Sequence, residues 1–384
     1  MPTTVYVDVT SSGNNTDAGG YTTLSQACTD YSDATHGKDL VAADVLLVFR
    51  VHDDFGGYLN EGSTGANFGT AGYTTDSTRY IIVDAAAGDE CTFTESSGAR
   101  IQITSKFGQT LETVNTTKVE VKNLVLKEAA GLITGGEGSH IAHKFTNCMC
   151  LTERGATDDK GLVGIRNFAG ETDSDKFIGS MAVRLGGNAE KTLITGSSNF
   201  TTTIQGSVFI GGYVDAGTSY GAFNISDSVI YNPGNSTFVD TSNPPKSITA
   251  DNNAFSDGVG VGTNKQLSIG TDQFTNYAGG DYTTAAGSTM QTNGIGIILN
   301  VPTITVDQAN LTPGGTISGT YTNFASTPTS PAVLTDSNSN ALNVTVTVTG
   351  TSSTGTFTGT MPSLPTTGNT SNFLLFGTVS VALD

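Results

Sequence analysis

An all-β chain of stacked coils, opened by a short helix and followed by a small β-sandwich, is the fold this sequence predicts. Three observations carry that expectation. First, a short phrase of the form apolar-x-apolar-x-turn returns along residues 53–271, as in Val119-Glu-Val121-Lys-Asn123, Val163-Gly-Ile165-Arg-Asn167, Val183-Arg-Leu185-Gly-Gly187 and Phe223-Asn-Ile225-Ser-Asp227. Its turn residues, Asn123, Asn147, Asn167, Gly187, Gly206, Asp227, Asn252 and Thr271, are spaced by 24, 20, 20, 19, 21, 25 and 19 residues. A step near twenty with strand alternation inside it marks a coil repeat. Second, Gly is abundant at 48, Trp is missing, and the apolar residues alternate with period two, which favours turn-rich β structure over disorder. Third, the texture changes after Asn300 to short alternating runs divided by turn clusters.

The first segment, residues 1–40, pairs a strand, Val5 to Val9, with a polar loop from Ser11 to Gly20. A helix is expected from Thr22 or Thr23 to about Ala34, because Leu24, Ala27, Cys28 and Tyr31 fall at three- and four-residue steps and a hydroxyl residue stands at the N-cap. A stack of coils has an open apolar end, and this amphipathic helix is its expected lid. The coils occupy residues 41–298, starting with Phe49-Arg-Val51-His-Asp53 and Tyr80-Ile-Ile82-Val-Asp84, while Gly56 to Thr78 reads as a long excursion from the stack. Residues two and four before each turn residue share one face of a strand and point to the core. The turn itself needs residues that tolerate the left-handed backbone, as Asn, Gly and Asp do. The later copies add an apolar residue three after the turn: Leu126, Cys150, Phe209, Ile230, Phe255 and Phe274. About eleven coils at about 4.8 Å per layer would give a stack roughly 50 Å long. In residues 301–384, runs such as Pro302 to Val306, Gly315 to Tyr321, Pro331 to Leu334, Asn343 to Thr349, Phe357 to Gly359 and Phe373 to Ala382 suggest a β-sandwich. A sandwich of evenly spaced hairpins is the competing reading for the coil region, but hairpins do not require one phrase in one phase.

Phe223-Asn-Ile225-Ser-Asp227-Ser-Val-Ile230 and Val119-Glu-Val121-Lys-Asn123-Leu-Val-Leu126 resemble the repeat of the right-handed parallel β-helix found in the pectate-lyase-like superfamily. Ala43 to Val51 followed by Gly57-Tyr58-Leu-Asn-Glu61 is similar to the first-coil region of such repeats, and Asp281 to Ser288 to the segment that closes their last coil. The resemblance covers residues 1–298. The run Gly314 to Phe324 resembles Ig-like modules appended to phage structural proteins and bacterial surface proteins. The superfamily holds lyases, hydrolases, adhesins and phage tailspikes, so the resemblance speaks for the fold more than for an activity.

Lys+Arg 17 against Asp+Glu 35 gives a net charge of −18, which argues against nucleic-acid phosphate as a partner. No run approaches the roughly 18 apolar residues of a membrane span, and no membrane insertion is expected. The start has no basic region followed by an apolar core, so no secretory signal is expected there. Cys28, Cys91, Cys148 and Cys150 match no zinc pattern, and buried free thiols suited to a reducing cytoplasm are expected. Neither a metal nor another cofactor is implied.

Placing outward residues one and three before each turn puts Glu120 and Lys122 on one coil, then Lys144, Arg166 and Arg184 on the following ones. This basic stripe is the candidate glycan- or partner-binding site. In the superfamily's lyases one basic residue on such a wall abstracts a proton beside a uronate carboxylate and another neutralises that carboxylate, roles open to Lys144, Arg166 and Arg184. Only Glu120 accompanies them, so the carboxylates of a calcium-dependent lyase are missing, and a solvated or partner-facing strip is the competing reading. Asp158-Asp159 and Asp173-x-Asp175 could serve glycoside hydrolysis or hold calcium, or be solvated loop acids. His143 falls on the inward phase and is expected as a hydrogen-bonded core histidine.

The expected function is that of a non-enzymatic phage virion protein, a head decoration, turret or tail appendage, made in the host cytoplasm and docking on other virion proteins or host-surface glycans. The alternatives are a polysaccharide lyase or glycoside hydrolase of the β-helix class, as in a tailspike depolymerase, and a bacterial surface adhesin. Long flat coil faces suit a homo-oligomer, with a cyclic trimer among the forms they allow.

Overall fold

The computed structural model describes residues 2–13, 20–62, 65–103, 111–112, 117–128, 138–155, 161–165, 176–186, 191–195, 201–215, 222–232, 247–256, 260–285, 288–298, 303–309, 315–322, 332–336, 341–350, 354–360, 372–376 and 379–383. Strands dominate, and the chain falls into two units, Met1–Ile298 and Leu299–Asp384. In the first unit the strands form three parallel sheets of ten, eight and six strands, which the chain visits in rotation. One circuit runs through Val119–Lys122 in the first sheet, Val125–Glu128 in the second and Gly138–Ala142 in the third. The next begins at Lys144–Thr146, paired in parallel with Val119–Lys122.

Strand alternation explains the interior. In the first sheet one inward row runs Val7, Phe49, Val83, Val121, Phe145, Phe177, Ile204, Ile225 and Ala250, each the register partner of the next. The second sheet answers with Ile101, Leu126, Cys150, Ala182, Phe209, Ile230 and Phe255. Both rows are buried, and Phe177 lies 6.0 Å from Phe145 and 5.3 Å from Phe209 between ring centroids. Burying each Val, Leu, Ile or Phe of these rows contributes about 1.5–3 kcal/mol.

The corner between the first and second sheets is a ladder of left-handed residues. Asn123, Asn147, Gly179, Gly206, Asp227 and Asn252 have φ of 57°, 53°, 52°, 54°, 53° and 52°. Each N–H donates to a carbonyl of the following layer, for example Asn147 to Ile178 at 3.0 Å and Gly179 to Gln205 at 2.8 Å. The residue after the corner adds a second ladder: the N–H groups of Cys148, Ser180, Ser207 and Ser228 donate in turn to Ser180 Oγ, Ser207 Oγ, Ser228 Oγ and Asn253 Oδ1 at 3.0, 3.3, 3.2 and 2.9 Å. All five residues are buried, so the ladder satisfies backbone donors that water cannot reach.

This geometry corrects the phase of the repeat. Val163 and Ile165 belong to the third sheet and Val183 to the second, so their phrases are not further copies of the Asn123 corner. The corner between Asn147 and Gly206 is Gly179, and the same-face steps are 24, 32, 27, 21 and 25 residues. Asn167 and Gly187 lie outside the described residues. Thr271 starts a 3-10 turn instead of closing a coil. Gly56 to Thr78 is no excursion either: Leu59–Asn60 and Ala66–Asn67 pair with the second and third sheets, so this segment completes a coil. The strand Thr3–Val9 likewise belongs to the stack, paired along its length with Val45–Val51.

The opening helix spans Leu24–Asp30 and buries Leu24, Ala27 and Cys28 against Val9, Leu47 and Phe49. Thr23 is its N-cap, accepting from the Gln26 N–H at 3.1 Å. It ends at Tyr31, earlier than Ala34, because the Asp33 carboxylate accepts from the N–H groups of Thr35 and His36 and sets a turn there. Buried Glu61 accepts from the Leu24 and Ser25 N–H groups at 2.6 and 2.8 Å, tying the helix to the coil below; burial raises its pKa against those two bonds.

Residues 270–285 and 288–298 fold back over the outer face of the second sheet. Phe274–Asn276 pairs antiparallel with Asp281–Thr284, and Phe274 and Tyr277 pack on Tyr231 at 5.3 and 5.1 Å. Gly296 donates to Asp227 O at 2.7 Å at a φ of +82°, and a Cβ there would stand 2.8 Å from Val229, so only glycine lets this strap lie down.

The second unit has two antiparallel sheets of four strands. Asn343 to Thr349, expected as one strand, divides: Ala341–Val344 joins one sheet and Val346–Gly350 the other. Phe373 to Ala382 becomes a hairpin of Asn372–Phe376 and Val379–Leu383. Ile317, Tyr321, Val346 and Phe357 are among its buried residues.

Candidate functional site

The charged wall of the first sheet follows from two outward rows. One runs Ile82, Glu120, Lys144, Lys176, Thr203, Asn224 and Thr249; the other runs Asp8, Arg50, Asp84, Lys122 and Thr146. From Asp8 to Lys122, and from Glu120 to Lys144, adjacent layers therefore present opposite charges at a strand spacing of about 4.8 Å, while Lys144 and Lys176 stand side by side as like charges. Asp8 is nearly buried and bidentate to Arg50, with Nε and Nη2 each 2.7 Å from a carboxylate oxygen, and His52 Nε2 lies 2.9 Å from Oδ1. Burial pushes the Asp8 pKa up, but the hydrogen bonds from Arg50 and His52 outweigh it and hold the carboxyl below its ordinary value.

Glu120 is buried at the centre of a lysine cluster. Lys122 Nζ lies 3.7 Å and Lys144 Nζ 4.0 Å from its Oε2, with Lys118 Nζ 4.0 Å from Oε1. Lys122 and Lys144 are therefore brought together, as the stripe requires. Arg184 is not: it stands in Met181–Gly186 of the second sheet, register partner of Thr152, and is buried. Gly211 lies against it, and a Cβ there would meet the Arg184 carbonyl oxygen at 2.4 Å. Arg166 lies outside the described residues, although the strand leading to it, Gly161–Ile165, is in the third sheet. The third rung of the lysine wall is Lys176, partner of Lys144. A sequence signal for it exists: Lys144-Phe-Thr-Asn-Cys-Met149 recurs as Lys176-Phe-Ile-Gly-Ser-Met181, one copy in phase with the other.

His143 is fully buried and its Nδ1 accepts from the Val119 N–H at 3.0 Å, the core role expected of it. Asp158, Asp159, Asp173 and Asp175 lie outside the described residues. The four cysteines are buried and unbridged; burial pushes the Cys28 and Cys148 thiols up to about 12 and Cys91 to about 11, so none offers a thiolate near neutrality. Among the described residues no group of three or more His, Cys, Asp or Glu side chains gathers as a metal would need, and no helix is long and apolar enough to cross a membrane.

The wall is thus a charge-paired surface with a positive excess, able to meet an anion by Lys122 and Lys144, which are about one-third exposed. No family model matches the chain, and neither a curated protein nor a solved structure matches it.

Proposed function

We propose that the chain is a non-enzymatic structural protein of a phage virion, a right-handed parallel β-helix of about eleven coils followed by an Ig-like β-sandwich, which docks on other virion proteins or host-surface glycans. The observation that carries this reading is the state of Glu120. Glu120, the carboxylate among the lysines, is buried and ringed by Lys118, Lys122 and Lys144, so it is committed to charge balance, and Asp84 beside Lys122 accepts from Asn123 Nδ2 at 2.8 Å. General acid–base cleavage of a glycan needs such groups within reach of the scissile bond. The four buried, unbridged thiols add support, since they suit assembly in a reducing compartment.

Two measurements test it. Mass spectrometry and immunogold labelling of purified phage particles should place the chain in the particle, and its consistent exclusion from particles would refute the reading. Incubation with acidic and neutral bacterial polysaccharides should yield no new reducing ends and no unsaturated products. Activity that appears and is lost in Lys144→Ala would replace this reading with the lyase.

A further inference from the structure

One sheet of the second unit ends on two edges of different character. Its strands lie in the order Thr303–Ala309, Thr316–Thr322, Thr354–Thr360 and Val346–Gly350. At the first edge Thr303–Ala309 carries Asp307 where its register with Thr316–Thr322 shifts, between Val306 and Gln308. A bulge and an edge charge both discourage a further strand from adding. At the other edge Val346–Gly350 pairs with Thr354–Thr360 in five unbroken steps, from Val346 opposite Gly359 to Gly350 opposite Gly355. Residues 341–360 contain neither a charged residue nor a proline, and among the described residues no strand lies on the far side of Val346–Gly350.

That second edge strand alternates regularly. Thr347 and Thr349 are exposed, while Val346 is buried and Val348, opposite buried Phe357, is half-buried, so hydroxyls face water and valines face the core. The hydroxyl face continues a pattern that crosses the sheet. Thr305, Thr320, Thr356 and Thr349 are successive register partners, and so are Ser318, Thr358 and Thr347. Thr opposite Thr is a favourable cross-strand pair. Charge points the same way: residues 299–384 hold Asp307, Asp336 and Asp384 and no Glu, Lys, Arg or His, in a chain of net charge −18. Repulsion between copies of the chain is therefore weakest at this unit.

We propose that Val346–Gly350 pairs antiparallel with the same strand of a second copy of this chain, joining two four-stranded sheets into one of eight strands. With the two-fold axis at Val348, Thr347 of each copy stands opposite Thr349 of the other. The hydroxyl rows then run on across the junction and the valines stay on the core face. A slip of one residue would turn one copy's threonines to the core side, so the alternation sets the register. A strand of another protein would have to match this alternation without bringing a charge, whereas the second copy matches it by construction. Because the bulged edge at Asp307 discourages further addition, assembly closes at two copies instead of growing into a fibre. The contact is small beside the roughly 800 Å² per partner of a standard interface, so association is weak, with a dissociation constant on the order of 100 µM. This goes beyond the docking role proposed above, since the partner is the chain itself.

The test is sedimentation equilibrium of the full chain at low salt, from about 10 µM to about 1 mM. The average mass of the parent chain should rise towards twice that of one chain. Thr347→Lys combined with Thr349→Lys changes two exposed side chains, opposes like charges across the junction and should weaken association at least about tenfold. Thr347→Glu combined with Thr349→Glu should do the same. An equal mixture of the two variants should recover the doubled mass, because lysine then meets glutamate. A parent chain that stays monomeric throughout would overturn the inference and leave the edge to a strand of another protein. A dimer or trimer indifferent to the lysine variant would place association on another surface, and a mixture that stays monomeric would exclude this junction; either result overturns the inference as well.

Discussion

The outer faces of the first and second sheets share one core and one backbone geometry, yet they meet different surroundings. On the first sheet the outward positions are Glu120, Lys144, Lys176 and Thr203, and the wall remains partly open to solvent, with Glu120 balancing part of its lysine charge. On the second the equivalent positions are Val125, Met149, Met181, Val208 and Val229, every one buried. The loop before Arg100 and the strap of residues 270–285 and 288–298 cover them. A coil fold fixes which residues point outward, but the chemistry of the outward row decides whether a wall stays bare or recruits a cover.

The comparison can be broken most sharply by placing one charge on each wall. Val208→Asp puts an unpaired carboxylate under the strap and should cost about 4 kcal/mol or more, while Thr203→Asp, beside Lys176, should change stability by less than about 0.5 kcal/mol. Urea unfolding of the two variants measures both, and equal losses would mean that the strap does not seal the second sheet.

A smaller effect sharpens the boundary between the walls. Ser207→Ala removes the oxygen that accepts from the Ser180 N–H and leaves that buried donor unsatisfied, for an expected loss of about 1–3 kcal/mol. Ser207→Cys, which keeps an acceptor as Cys148 does, should recover part of it; if both variants unfold like the parent chain, the corner ladder contributes nothing net.

The smallest effect is a pH dependence confined to the charged wall. Because the folded pKa of Asp8 lies below its ordinary value of 3.8, its contribution is present above that value and is lost as pH falls through the lower folded one. Asp8→Asn should therefore be less stable than the parent at pH 7, with the gap closing below about pH 4. A gap that persists unchanged at pH 2 would assign the effect to packing.

Much of the stack was legible in the residues. Leu126, Cys150, Phe209, Ile230 and Phe255 do form one inward row, and Asn123, Asn147, Gly206, Asp227 and Asn252 do take the left-handed corner. The phase went astray between Asn147 and Gly206, because strands of all three sheets satisfy the same apolar alternation. Val163-Gly-Ile165 and Val183-Arg-Leu185 obey it as well as Lys176-Phe-Ile178 does. That slip moved Arg184 onto the wrong wall and hid Lys176. The hollow bordered by Tyr58, Thr94, Glu95, Arg100, Gly279 and Tyr282 was not legible, since these residues are distant in sequence and meet only where the strap folds back.

By itself, the sequence determined local geometry: which side chains alternate inward, which residues can take a positive φ, and where the coil texture gives way to the second unit. These depend on neighbours two to four residues away. Tertiary structure alone decided which sheet each strand joins, that Glu120 lies among three lysines, and that a strap covers the second sheet. Those outcomes depend on registers set between residues twenty or more apart, where parallel strands of one pattern pair in several ways and only burial of the whole stack selects among them.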